Sequence, residues 1–149
     1  MDSNCLICKR IGKIKKGSNP YFVKELKSGY VVMADHQFYE GYTLFLSKTH
    51  VRELHELKND RETFLNEMAL VAEAVYKAFR PNKLNYELLG NTDSHLHWHI
   101  IPRYADDPNR KLSIWETNEQ VRCTNNSKPS ENNLLNYKNA LLQEINKLI

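Results

Sequence analysis

The chain has 149 residues, of which 41% are hydrophobic and 26% charged, with a formal net charge of +3. These values describe one ordinary globular domain, large enough to build a core. A charge of +3 suits a phosphate-bearing ligand, but it is far from the dense basic patch that nucleic-acid binding usually needs, and no nucleic-acid partner is expected. No apolar run reaches transmembrane length, and "MDSNCLICKR" lacks the apolar centre of a signal peptide, so no membrane partner and a cytoplasmic location are expected. Cys5, Cys8 and Cys123 are an odd set, which speaks against a disulfide framework.

In chain order, "YFVKEL" (Tyr21 to Leu26) and "YVVMA" (Tyr30 to Ala34) are β-branched and aromatic runs joined by "KSG", a hairpin signal. A third strand, "YTLFLS" (Tyr42 to Ser47), is nearly all apolar and therefore reads as buried. From about Asp60 the period changes. Phe64, Met68, Val71, Ala72, Val75 and Phe79 recur at three- and four-residue steps, one face of a helix that Pro81 ends. "LNYELLG" (Leu84 to Gly90) and "HLHWHIIPR" form two further strands around the polar turn "NTDS". "CTNNSKPSENN" is a polar loop without periodicity. Leu134, Leu141, Ile145 and Leu148 then mark a second helix, about residues 130–148, with Ser130 as its N-cap. The expectation is a single α+β domain, an antiparallel five-stranded sheet with two main helices against it.

The stretch "HLHWHIIPRY" (His95 to Tyr104) holds three of the six histidines. On a strand His95, His97 and His99 share one face, about 7 Å apart by the per-residue rise, and Leu96, Trp98 and Ile100 share the other. Three readings compete for that row: structural histidines on a polar face, a metal site needing a further ligand from elsewhere, and covalent catalysis by a neutral imidazole attacking phosphorus. An imidazole near its reference pKa of about 6.5 is largely neutral at cellular pH, and its neighbours can bind phosphate oxygens or assist a leaving group.

"HLHWHII" matches His-φ-His-φ-His-φ-φ, with φ apolar, and so resembles the histidine-triad (HIT) superfamily of nucleotide hydrolases and transferases. "GYTLFLSKTH" resembles the family strand that usually reads Gly-His-φ-φ-φ-φ-Pro-Lys-x-His, and "NYELLGNTDS" the strand and turn before the triad. The resemblance spans about residues 5–105. It implies an α+β domain, usually a homodimer, that binds a purine nucleotide and cleaves next to its α-phosphate in two steps. His97 would attack phosphorus to form a nucleotidyl-histidine, and His99 would assist the leaving group, with no metal required at phosphorus. Nucleotide contacts would fall on Asp35, for the ribose hydroxyls, and on Asn85, Asn91 and Thr92. In some branches an N-terminal Cys-x-x-Cys pair, a histidine after the Lys-containing strand and the first triad histidine hold a structural zinc. Here those residues are Cys5, Cys8, His50 and His95.

Two departures bear on chemistry. Tyr42 stands where many members carry a fourth active-site histidine. Asp93 puts a negative charge beside an anion site, a cost unless it points away or pairs with Arg103. They keep two rivals in play: a nucleotide-binding module with little catalysis, and a zinc hydrolase using the triad as ligands. His36 and His55 are expected on the solvated surface, Cys123 as a lone buried thiol, Trp98 in the core, and Trp115 packing rather than closing over a ligand.

Overall fold

The computed structural model describes residues 4–149. Its sheet runs β1 (Phe22–Glu25), β2 (Gly29–Met33), β3 (Thr43–Ser47), β5 (His97–Arg103), β4 (Lys83–Glu87) in spatial order, every neighbouring pair antiparallel. This is the expected α+β architecture with five strands.

Two long helices cover one face. In α2 (Arg61–Phe79) the residues Phe64, Val71, Ala72 and Val75 of the predicted stripe are buried, and Phe64 stacks on Phe45 of β3 with ring centroids 5.1 Å apart. Burying one such ring contributes about 1.5–3 kcal/mol. The helix ends as anticipated, with Arg80 in the left-handed region just before Pro81. In α4 (Glu131–Leu148) the Ser130 hydroxyl caps the first turn by accepting from the Asn133 N–H at 3.1 Å, and Leu141 and Ile145 reach the same core.

A third helix, α1 (Leu6–Lys15), lies outside the two expected. Ile7 and Ile11 pack it on the opposite face of the sheet, against Tyr30, Val32 and Leu46. Register then fixes the histidines. His97 pairs with Leu46 and His99 with Leu44, so their side chains project on the α1 face, while Trp98, opposite Phe45, joins the core under α2. Strand β5 runs on through Pro102. Because β3 stops at Thr43, opposite Ile100, the proline lies beyond the β3 ladder, where a missing N–H is tolerated.

Between β5 and α4 the chain holds order beyond the expected strands and helices, including part of the stretch 123–133 read as a loop. This region contains 3-10 turns at Ile114–Glu116 and Asn125–Ser127 and a short helix α3 (Glu119–Arg122). The segment is tied back to the sheet end: Gln37 N–H donates to the Ser127 carbonyl at 2.7 Å, and Ile114 is fully buried with Tyr39 and Ile101.

Candidate active site and a cysteine–histidine cluster

His97 and His99 sit side by side on the α1 face. Their Nε2 atoms are 3.1 Å apart, and His97 is only 7% exposed. The His97 Nδ1–H donates to the carbonyl of His95, two residues back on its own strand, at 2.7 Å. A neutral His97 therefore carries its lone pair on Nε2. The Tyr42 hydroxyl lies 2.6 Å from His99 Nδ1. Gly41 makes that approach: its φ is +90°, and a Cβ there would lie 2.6 Å from the Phe79 ring, so only glycine turns the chain into Tyr42 at this point. Burial, and after it the neighbouring His97, pushes the His99 pKa down to about 4. Burial raises that of Tyr42 far above the phenol range, with Glu87 adding to the effect.

A cavity of about 390 Å³ opens onto these rings, lined by His97, His99, Leu89, Gly90, Asn91, Thr92, Asp93 and Trp115. Two of the expected nucleotide contacts, Asn91 and Thr92, thus join the histidines. The other two lie elsewhere. The Asn85 side-chain oxygen accepts from Arg103 at 3.1 Å. Asp35 is gripped by both terminal nitrogens of Arg10 at 2.8 Å each, beside a separate pocket of about 240 Å³ between α1 and residues 19–21. Arg103 is held by Asp107 at 3.1 Å and by the Leu112 and Asn109 carbonyls, so it is not the partner of Asp93.

The four expected metal-ligand residues come together. Ligand-type atoms of Cys5, Cys8, His50 and His95 all lie within 4.8 Å of one another. Cys8 Sγ is 3.2 Å from His50 Nδ1 and 3.5 Å from His95 Nδ1, Cys5 Sγ is 3.5 Å from His95 Nδ1, and the two Nδ1 atoms are 3.1 Å apart. A tetrahedral ion with bonds of about 2.3 Å to sulfur and about 2.0–2.1 Å to nitrogen gives edges of about 3.5 Å for S···N and about 3.3 Å for N···N. The donor set fits. The His95 Nε2–H donates to the Ser47 carbonyl at 2.7 Å, leaving Nδ1 as the free donor, the usual outer support of a metal-bound imidazole. His97 and His99 belong to no comparable group of His, Cys, Asp or Glu among the described residues.

Sequence reasoning missed three contacts. Trp115 is 43% exposed, meets His99 edge to face at 5.8 Å, and donates its indole N–H to Glu87, with the Arg122 guanidinium 4.8 Å from its ring. The buried Ile114 beside it was the available signal, since anchoring one residue turns the next outward. The Arg10 bond to Asp35 had no signal in spacing, whereas the Tyr42 bond to His99 was signalled through the motif position that Tyr42 occupies, that of a fourth active-site histidine. Among the remaining expectations, His55 is exposed and Trp98 packs on the core, but Cys123 is only half-buried, and His36 is half-buried against the Ser127 hydroxyl at 2.9 Å.

Fold and site together define a histidine-triad protein. A family model described as "HIT domain" matches residues 18–106, more than half of the chain, which therefore belongs to the HIT family. It is 28% identical over 120 residues to "Protein hit" of Bacillus subtilis, covering 76% of this chain and 80% of that one. It is 27% identical over 127 residues to the adenosine 5'-monophosphoramidase HNT1 of Saccharomyces cerevisiae, covering 80% and 74%. A crystal structure of a zinc-bound histidine triad family protein from Mycobacterium smegmatis superposes with a TM-score of 0.64 at 24% identity, covering 94% of each chain. The family and these relatives support a nucleotide hydrolase in general terms.

Proposed function

We propose that the chain is a nucleotidyl hydrolase that cleaves at the α-phosphate of dinucleoside polyphosphates or nucleoside phosphoramidates through a nucleotidyl group carried on His97. The observation that carries this reading is the His97 Nδ1–H bond to the His95 carbonyl, which leaves the Nε2 lone pair at a cavity that also holds Asn91 and Thr92. His97 Nε2 attacks phosphorus, and the leaving group departs from the opposite side. Water then attacks the same phosphorus, and the electron pair of the nitrogen–phosphorus bond returns to His97. The Thr92 hydroxyl and Asn91 amide bind the phosphoryl oxygens, and His99 contacts the leaving atom. For a purine nucleoside, Asp35 is the ribose acceptor in this reading, which requires Arg10 to share or release it.

Cys5, Cys8, His50 and His95 are the residues we assign to a structural zinc, an ion that would supply folding energy and no chemistry at phosphorus. The divergence of the three histidines, one towards the cysteines and two towards the cavity, argues against a zinc hydrolase with the whole triad as ligands. A homodimer and a cytoplasmic location complete the proposal. The test is incubation of pure protein with diadenosine tetraphosphate and with a fluorogenic adenosine phosphoramidate. Release of a mononucleotide from either supports hydrolysis; no product from both, with binding retained, leaves a nucleotide-binding module.

A further inference from the structure

Tyr42, His99 and His97 form a chain of contacts in which every proton can be placed. His97 Nδ1 faces a carbonyl and so must donate to it. With both rings neutral, His97 Nε2 is then an acceptor, and its neighbour His99 Nε2, 3.1 Å away, must carry the hydrogen. That leaves His99 Nδ1 as an acceptor, and the Tyr42 hydroxyl donates to it at 2.6 Å.

We propose that Tyr42 is a positioning residue that locks His99 as the neutral Nε2–H tautomer, and that this lock makes phosphoanhydrides, with anionic phosphate leaving groups, the substrate class in preference to phosphoramidates. The preference rests on the proposed hydrolytic function; the tautomer does not. In the resting site the His99 N–H caps the lone pair of His97. A bound substrate draws that N–H onto the bridging oxygen and uncaps the nucleophile. The His97 Nε2–phosphorus bond forms, the bridging phosphorus–oxygen bond breaks, and the electron pair leaves on the oxygen of an anionic phosphate. No proton has to move, because the charge that develops on oxygen is met by the His99 hydrogen bond. The positive charge left on the phosphorylated His97 ring is lost when water displaces nitrogen and gives up a proton to solvent.

An amine leaving group differs in one respect. The nitrogen must receive a proton as its bond to phosphorus breaks. Taking it from neutral His99 leaves an imidazolate. Supplying it from a cationic His99 needs a hydrogen on Nδ1, where the Tyr42 hydrogen already sits, and reversing that bond strips a buried hydroxyl of its acceptor on His99. Burial of His99 and of Tyr42 opposes both charged forms. A second imidazole in place of Tyr42 could pass a proton through either nitrogen; a phenol of high pKa does not.

The experiment pairs kinetics with nitrogen-15 NMR of the imidazoles, on wild type, Tyr42→Phe and Tyr42→His. Proton delivery by a positioned acid is worth roughly 10²–10⁴-fold. Wild type should therefore favour diadenosine tetraphosphate over an adenosine 5'-phosphoramidate by about a hundredfold in kcat/KM. Tyr42→His should move that ratio at least about tenfold towards the phosphoramidate. The NMR spectrum should show His99 protonated on Nε2 in wild type and mixed tautomers in Tyr42→Phe. Wild-type preference for the phosphoramidate, an unmoved ratio in folded Tyr42→His, or Nδ1-protonated His99 each overturns the inference. Turnover of neither substrate overturns the hydrolytic function and the preference with it, while the spectrum still decides what Tyr42 does.

Discussion

Two clusters of imidazole meet at the start of one strand, β5, and the atoms around them suit different chemistry. At one, His95 and His50 meet two cysteines, with all four ligand-type atoms within 4.8 Å of one another. At the other, His97 and His99 meet a tyrosine and open to a cavity. The residue type is the same, and His95, His97 and His99 follow one another at every second position. What differs is which ring nitrogen the backbone occupies. Ser47 takes Nε2 of His95 and turns its Nδ1 to the thiols, whereas the His95 carbonyl takes Nδ1 of His97 and turns its Nε2 to the cavity. The free nitrogen decides the role.

The sharpest way to break this contrast is to remove one member of each cluster. His97→Ala should lower nucleotide hydrolysis by at least about 10³-fold while binding of a non-hydrolysable nucleotide analogue, followed by calorimetry, survives. A mutant retaining near-normal turnover eliminates His97 as the nucleophile. Cys8→Ala should instead reduce bound zinc from about one ion per chain to none, by elemental analysis of purified protein. Its melting temperature should fall by several degrees, since about 1 kcal/mol corresponds to roughly 2–4 °C at this size. Wild-type protein that purifies without zinc and binds none when it is added would remove the contrast altogether.

Charge state sharpens it further. The folded-state pKa of His99 is depressed to about 4, whereas the unfolded ring titrates near the usual value. The unfolded chain therefore binds the proton first, and the stability His99 permits is full above about pH 6.5 and declines as pH falls towards 4. Urea midpoints measured across that window should fall less steeply in His99→Gln than in wild type; parallel curves would show that His99 is not the group responsible. The smallest expected effect lies at the rim. Arg10→Ala frees the Asp35 carboxylate and should tighten ribonucleotide binding a few-fold while leaving the 2'-deoxyribonucleotide unchanged, on the order of 1 kcal/mol for one exchanged hydrogen bond. Equal changes for both nucleotides would separate Asp35 from the ribose.

How far the sequence revealed these clusters depended on the range of the signal. Period-two alternation in "HLHWHII" and the apolar run "YTLFLS" placed the histidines on one face and the sheet beneath them, because strand geometry is local. The α2 stripe and its Pro81 stop were local too. Helix α1 escaped because its apolar face, Ile7, Ile11 and Ile14 with Cys8, lies among four lysines and arginines in ten residues, although the four- and three-residue spacing of the isoleucines was there to be read. The segment from 114 to 127 escaped for a different reason: helices of three or four residues are too short to show a period, and its order comes from the burial of Ile114 and the bonds to Gln37 and His36. The zinc-type set was foreseen through the family motif, since nothing local ties Cys5 to His95, ninety positions away. The Arg10 grip on Asp35 is likewise a tertiary contact between a helix and a loop, which neither composition nor spacing encodes.

His95 stands in both clusters at once, its ring with the cysteines and its carbonyl on His97, the proposed nucleophile. A chelator that empties the first cluster would therefore loosen the second, and activity would fall in step with metal content although the metal touches no substrate. The discriminating sign is qualitative. Molecules that still hold zinc should keep their full turnover number, pH profile and leaving-group preference, so that the loss counts misassembled sites. By that criterion a dose–response to chelator resembles the titration of a structural part, and replacing zinc by cadmium, which keeps the tetrahedron, should cost little.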